Sequence, residues 1–144
     1  VGKQPTMAAV ADLDGDGAVD ILTPNGGWPV HDVTIMFGNG DGTFRSPDHR
    51  FGGPSPHAVA IADLNGDTFP DLAITNLGTS YVRPTNDGVQ IRLGRGVGRF
   101  GPLIQISQRW PSSITAADLN ADGKIDLVVP NEFVGNVAVL LNHP

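Results

Sequence analysis

The chain has 144 residues, 40% of them apolar, and no cysteine. That length suffices for one domain with a real core, and the missing cysteines exclude disulfides and thiolate metal sites. The net charge of −6 comes without a basic patch or stripe, which argues against nucleic acid as a partner, and no apolar run approaches the roughly 18 to 20 residues of a membrane span.

Nineteen glycines and twelve prolines make up more than a fifth of the chain. Helix formers never run on, so the expected elements are short strands joined by turns. No basic region followed by an apolar stretch opens the chain, and no signal peptide is read from it. The first expected strand is "TMAAVA", residues 6–11, begun near Pro5, since a proline is tolerated at a strand start. An acidic loop, "DLDGDGAVD", fills 12–20. A second strand, "DILTP", spans 20–24, and a variable loop leads to a third, "VTIMF", at 33–37. The turn "GNGDG" then leads to a fourth around "TFRS", residues 43–46.

The same series begins again with "HAVAIA" at 57–62, "DLAIT" at 71–75, "VQIRL" at 89–93 and "RFGPL" at 99–103. It begins a third time with "SITAAD" at 113–118, "DLVVP" at 126–130 and "VAVLL" at 137–141. The first loop aspartates, Asp12, Asp63 and Asp118, are spaced 51 and 55 residues apart. A proline lies seven residues before each (Pro5, Pro56, Pro111), and an asparagine lies five after each last aspartate (Asn25, Asn76, Asn131). Three units follow, about 1–51, 52–106 and 107–144, the last without its fourth strand. Four strands per unit of this length is the pattern of propeller blades. The expected fold is all-β, a β-propeller of four-stranded blades with three repeats per chain. Propellers hold roughly four to eight blades, so the ring is expected either to close by association, with two such chains giving six blades as a homo-oligomer, or to be part of a larger propeller.

Each acidic loop places oxygen-bearing side chains at positions one, three, five and nine. These are Asp12, Asp14, Asp16 and Asp20; Asp63, Asn65, Asp67 and Asp71; and Asp118, Asn120, Asp122 and Asp126. Odd positions of a tight loop turn inward together, and a purely oxygen donor set suits Ca²⁺, with up to three ions per chain. Position seven (Ala18, Phe69, Lys124) has no useful side-chain oxygen, so its backbone carbonyl is the expected ligand. Position six calls for a sharp turn, which glycine adopts freely. Gly17 and Gly123 meet that need. Thr68 does not, and Pro70 follows it at position eight. An EF-hand is excluded, because that loop needs a glutamate at position twelve and flanking helices. Position twelve here is Thr23, Ile74 or Val129, inside an apolar β-type run. A solvated Asp/Asn/Gly turn without metal is the plain alternative for one loop; three copies in register tell against it. The loops hold ten of the fifteen acidic residues, so three Ca²⁺ would bring the formal charge to zero.

The pattern D-x-[DN]-x-D-G-x-x-D-L, ahead of a strand and turn such as "VTIMFGNGDGTF", resembles the FG-GAP (VCBS-type) repeats of integrin alpha-subunit propellers and of many bacterial secreted proteins. The resemblance covers nearly the whole chain. It implies calcium in the loop between strands one and two of each blade, an extracellular setting and a binding or adhesion role. Thr68, Ala121 at position four and the low number of blades depart from that pattern.

Alternating strand direction puts the acidic loops on one face and the irregular loops on the other. Both tryptophans and the only tyrosine lie in the irregular loops. The candidate ligand-binding residues are Trp28, His31, Tyr81, Arg83, Arg109 and Trp110, because aromatic residues and arginine are enriched at binding hot spots. Packing of Trp28 and Trp110 against neighbouring blades is the competing reading. No spacing picks out a nucleophile with its base, and no two carboxylates single themselves out as a catalytic pair. The expected function is therefore a non-catalytic calcium-binding adhesion or ligand-binding module. A carbohydrate-binding lectin and an accessory segment of a larger secreted hydrolase or lyase are the alternatives.

Overall fold

The computed structural model describes residues 2–28, 31–78 and 87–143. Among them there is no helix, and so none long and apolar enough to cross a membrane. Among the described residues, eleven strands form three antiparallel sheets. The first sheet joins β1 (Ala9–Ala11), β2 (Asp20–Asn25), β3 (Asp32–Met36) and β4 (Asp48–Arg50) in chain order. The second joins β5 (Pro56–Ala62), β6 (Asp71–Asn76), β7 (Gly88–Arg92) and β8 (Ile104–Ile106). The third joins β9 (Thr115–Ala117), β10 (Asp126–Asn131) and β11 (Asn136–Leu140).

Register repeats with the sequence. Ala11 pairs with Asp20, Ala62 with Asp71 and Ala117 with Asp126, so each acidic loop is closed by the same alanine–aspartate pair. At the far end the repeated proline meets the repeated asparagine: Pro5 with Asn25, Pro56 with Asn76 and Pro111 with Asn131. The residue before each proline has a left-handed backbone, with φ of 53° at Gln4, 61° at Ser55 and 57° at Trp110. This turns its carbonyl onto the second strand, where Gly26, Leu77 and Glu132 donate their N–H groups to it.

The fourth strands lie later than the sequence suggests. Residues 43–46 and 99–103 contribute only single bridges, Gly38 with Phe44 and Gly94 with Phe100. Regular pairing resumes at Asp48 and at Ile104. Pro47 and Pro102 stand between, and a proline cannot donate to the ladder. The first strands β1 and β9 are also shorter than expected, whereas β5 has its full length, with a register shift between Pro56 and Ala58.

Two apolar layers hold the sheets together. One packs Leu13, Leu22, Val33 and Ile35 of the first unit on Val59, Leu72 and Ile74 of the second. The other packs Ala58, Ala73, Val89 and Ile91 on Ile114, Leu127 and Val129 of the third. Strand β1 lies against β5 and β5 against β9. Small alanines in these strands permit that approach.

Candidate functional site

Each acidic loop is wound around its first aspartate. Asp12 accepts N–H bonds from Gly15 (2.7 Å) and Gly17 (2.9 Å). Asp63 accepts from Gly66, Asp67 and Thr68 at 2.7, 3.2 and 2.8 Å. Asp118 accepts from Asp122 and Gly123 at 3.2 and 2.9 Å. The fifth-position aspartates each accept the N–H of position seven, from Ala18, Phe69 and Lys124. At Asp63 burial pushes the carboxyl pKa up, but the N–H bonds led by Thr68 outweigh it and the net shift is downward. The N–H of Lys124 and the amide of Asn120 hold Asp122 below the usual carboxylate range.

The ninth position has a role that the sequence does not reveal. Asp20 is fully buried, and its two oxygens accept the N–H groups of Leu13 (2.7 Å) and Gly38 (2.8 Å). Asp71 does the same with Leu64 (2.7 Å) and Gly94 (2.6 Å), and Asp126 with Leu119 (3.0 Å) and Asn142 (2.8 Å). One carboxylate thus ties the acidic loop to the end of the third strand. Glycine is needed at 38 and 94 because a Cβ there would collide with the carbonyl of Val19 or Pro70. At Asp71 burial pushes the carboxyl upward against the N–H bonds that stabilise its charge.

In the first loop, oxygens of Asp12, Asp14 and Asp20 converge within 4.8 Å of one another. Three carboxylates at that spacing repel unless a cation joins them, and their all-oxygen donor set fits a hard divalent ion. The second and third loops replace position three by Asn65 and Asn120, whose Nδ2 atoms donate to Asp67 and Asp122 at 2.9 and 3.0 Å. A cation also reaches the first loop from the protein itself. The Arg45 guanidinium contacts Asp14 at 3.1 Å and Asp16 at 2.8 Å. Sequence reading missed this residue because the turn after β3 brings it back to the loop from 29 positions away.

The loop conformations follow the residue types closely. Position four has φ of 79° at Gly15 and Gly66 and 59° at Ala121. Position six has 86° at Gly17, 84° at Gly123 and 73° at Thr68. The threonine therefore takes the left-handed conformation that a β-branched side chain disfavours.

The irregular loops separate the candidate ligand residues. Trp28 is 82% exposed, whereas Trp110 is 7% exposed with its ring against Phe133 at 5.1 Å. His31 Nδ1 lies 3.1 Å from the Gly26 carbonyl. Arg109 is exposed and lines, with Asp87, Gln108 and Asn131, a cavity of about 270 Å³. Tyr81 and Arg83 lie outside the described residues. A buried polar cluster near His31 had no signal in the sequence. Asn25 Nδ2 donates to Asp32 (2.6 Å) and to Thr34 (2.8 Å). His49 Nδ1 lies 2.9 Å from Asp32 and 3.2 Å from Thr34. Hydroxyl and carboxylate share one ring nitrogen, so this ring does not relay a proton between them.

Residues 12–74 match the family description "FG-GAP-like repeat". Two relatives are similar to most of the chain. Phosphatidylinositol-glycan-specific phospholipase D of Rattus norvegicus is 29% identical over an alignment covering 96% of this chain and 20% of that protein. The T-cell immunomodulatory protein homolog of Plasmodium falciparum (isolate 3D7) is 30% identical over 84% of this chain and 18% of that protein. The chain thus spans about a fifth of the length of these relatives.

Proposed function

This chain carries FG-GAP-like repeat sequence, matched over residues 12–74, and from that premise we propose that it is a non-catalytic, calcium-binding module of a propeller. It works outside the cell and binds a protein or glycan through the loop face opposite the acidic loops. The observation that carries the metal reading is the convergence of Asp12, Asp14 and Asp20; the other two loops keep the same residue pattern in register, with Asn65 and Asn120 at position three. Ca²⁺ accepts six to eight oxygens in flexible geometry, whereas Mg²⁺ demands stricter octahedral order. The ion's role is structural: it neutralises the loop that joins the first two strands of a sheet.

The propeller reading is supported by the succession β1, β5, β9, in which the first strand of each sheet lies against the first strand of the next. The adhesion reading is supported by Trp28, a large exposed aromatic in the loop between β2 and β3. Loops on a rigid scaffold commonly carry binding function. A second reading, an accessory segment of a larger hydrolase, is favoured by one observation: relatives named as a phospholipase D contain the matched region as a fifth of their length. A lectin is the glycan-specific form of the first reading.

Isothermal titration of the chelated chain with CaCl₂ tests the metal reading. Saturable binding at up to three sites is expected, with the heat lost in a triple Asp12→Ala, Asp63→Ala, Asp118→Ala variant. No heat from the unaltered folded chain would refute it. A glycan array then separates a sugar ligand from a protein ligand.

A further inference from the structure

The hairpin turn from Leu93 to Gly101 repeats the turn from Phe37 to Arg45. Both are closed by the same backbone bonds. In the first sheet the N–H of Asn39 donates to Thr43 and that of Arg45 to Phe37; in the second, the N–H of Arg95 donates to Arg99 and that of Gly101 to Leu93. The side chains of the first turn meet across it, because Asn39 Nδ2 donates to Thr43 Oγ1 at 2.9 Å. The second turn has Arg95 and Arg99 at these two places, both exposed. Equivalent backbone thus sets two guanidinium groups side by side, and like charges facing each other across a strand pair are destabilising.

The chain does not neutralise them. Among the described residues, Arg45 pairs with Asp14 and Asp16, and Arg50 with Asp48, but no carboxylate pairs with Arg92, Arg95 or Arg99. Arg92 adds to the excess of positive charge. Its Nη1 donates to the Gly101 carbonyl at 3.2 Å, and its Nε is buried without a hydrogen-bond partner. Arg95 reaches the same glycine, since a Cβ on Gly101 would lie 3.3 Å from Arg95 Nε. Burial pushes the Arg92 guanidinium pKa down. No run of basic residues announces this patch in the sequence, because the turn assembles it from residues three and four positions apart.

The surroundings of the turn select the kind of anion it fits. The turn stands between two acidic loops: a Cβ on Gly98 would lie 3.4 Å from that of Asp14, and a Cβ on Gly96 would lie 3.0 Å from the Phe69 ring. A long polyphosphate would meet carboxylates on either side, whereas a single anionic group fits between them. An extended peptide joins a sheet edge or lies in a groove, and an exposed hairpin turn is neither. The Phe69 ring is 43% exposed and offers a flat apolar face on which the C–H side of a sugar ring stacks. We propose that Arg95 and Arg99 form a binding site for an acidic sugar, whose carboxylate or sulfate bridges the two guanidinium groups while its ring rests on Phe69. The planar fork of arginine matches two oxygens of such a group. The site lies on the acidic-loop face, so it is separate from the ligand face of the preceding section and does not rest on it.

Two-dimensional amide NMR of the chain in calcium, titrated with glucuronate and with glucose 6-sulfate, tests this. Saturable shifts are expected at residues 95–101 and at Phe69, absent with glucose and reached only at higher concentration with acetate or methyl sulfate. The double variant Arg95→Asn with Arg99→Thr installs the pair of the first turn, and so keeps a turn that this chain already folds. It should bind both acidic sugars at least about tenfold more weakly, since two charge-assisted contacts are lost. The proposal is overturned if the turn does not shift, or if the double variant keeps the full affinity. Acetate and methyl sulfate binding as tightly as the sugars would also overturn it, by leaving an anion site without a sugar contact. Tighter binding of hexaglutamate or of a DNA oligonucleotide at the same residues would do so too, by assigning the turn to another class of partner.

Discussion

The loop from Asp12 to Asp20 and the loop from Asp63 to Asp71 are one device built with different means. Both wind around a first aspartate, and both end in a buried ninth aspartate that holds two backbone N–H groups. They differ in what fills the remaining places. The first has a carboxylate at position three, glycine at both left-handed positions and the Arg45 guanidinium across Asp14 and Asp16. The second has Asn65, a left-handed Thr68 and Pro70, with no ion pair among its described residues. The fold-bearing half of the loop is therefore constant and the cation-bearing half varies. The ninth aspartate works as a clip with or without a metal, and positions three to six set how well the loop accepts one.

Breaking the constant half has the largest expected effect. Asp20→Ala and Asp71→Ala each strip two buried N–H groups of their acceptor, and leaving one such donor unsatisfied costs roughly 1–3 kcal/mol. Urea unfolding in chelator should show a loss of about 3 kcal/mol for each, similar in the two loops. A loss confined to calcium-containing buffer would make the clip a mere ligand. Next comes Asp14→Ala, which removes a converging carboxylate from the first loop only. The stabilisation supplied by an ion at one hundred times its Kd is about 2.7 kcal/mol, and the first loop's share should vanish while the second loop's remains.

Thr68→Gly sharpens the contrast from the other side. A non-glycine residue held in the left-handed region is strained by about 1–3 kcal/mol, part of which glycine returns in the entropy of the unfolded chain. The melting temperature should rise by the equivalent of about 1 kcal/mol, whereas Gly17→Ala should lower it by a similar amount. A fall with Thr68→Gly would mean that the threonine makes a contact outweighing its backbone strain. The smallest effect belongs to Arg45→Ala. An exposed ion pair contributes about 0–1 kcal/mol, so stability in chelator should barely change. Calcium should bind the first loop more tightly, since the guanidinium no longer competes for Asp14 and Asp16. Weaker calcium binding in that variant would assign Arg45 to shaping the loop.

What was legible in the sequence was local. The acidic loops are nine residues long, so the sharp turns at Gly17 and Gly123 follow from residue order, whereas the left-handed backbone at Thr68, which a β-branched residue disfavours, does not. The repeated proline and asparagine were visible as a pattern, but their pairing was not, because it joins residues 20 positions apart. The fourth strands were misplaced because "TFRS" and "RFGPL" read as β-formers, while Pro47 just after the first and Pro102 within the second defer the ladder. Trp110 looked like a ligand anchor by composition. Its burial depends on Phe133, which reaches it only once the third sheet has formed. Arg45 and His49 were silent for the same reason, each meeting its aspartate through strand pairing and a returning turn.

Scanning calorimetry of the unaltered chain, once in chelator and once in millimolar calcium, bears most directly on the central claim that the acidic loops bind calcium and are stabilised by it. A melting temperature that climbs with the logarithm of calcium concentration, and climbs less in Asp14→Ala, is the predicted result. The same melting temperature in chelator and in calcium would contradict it.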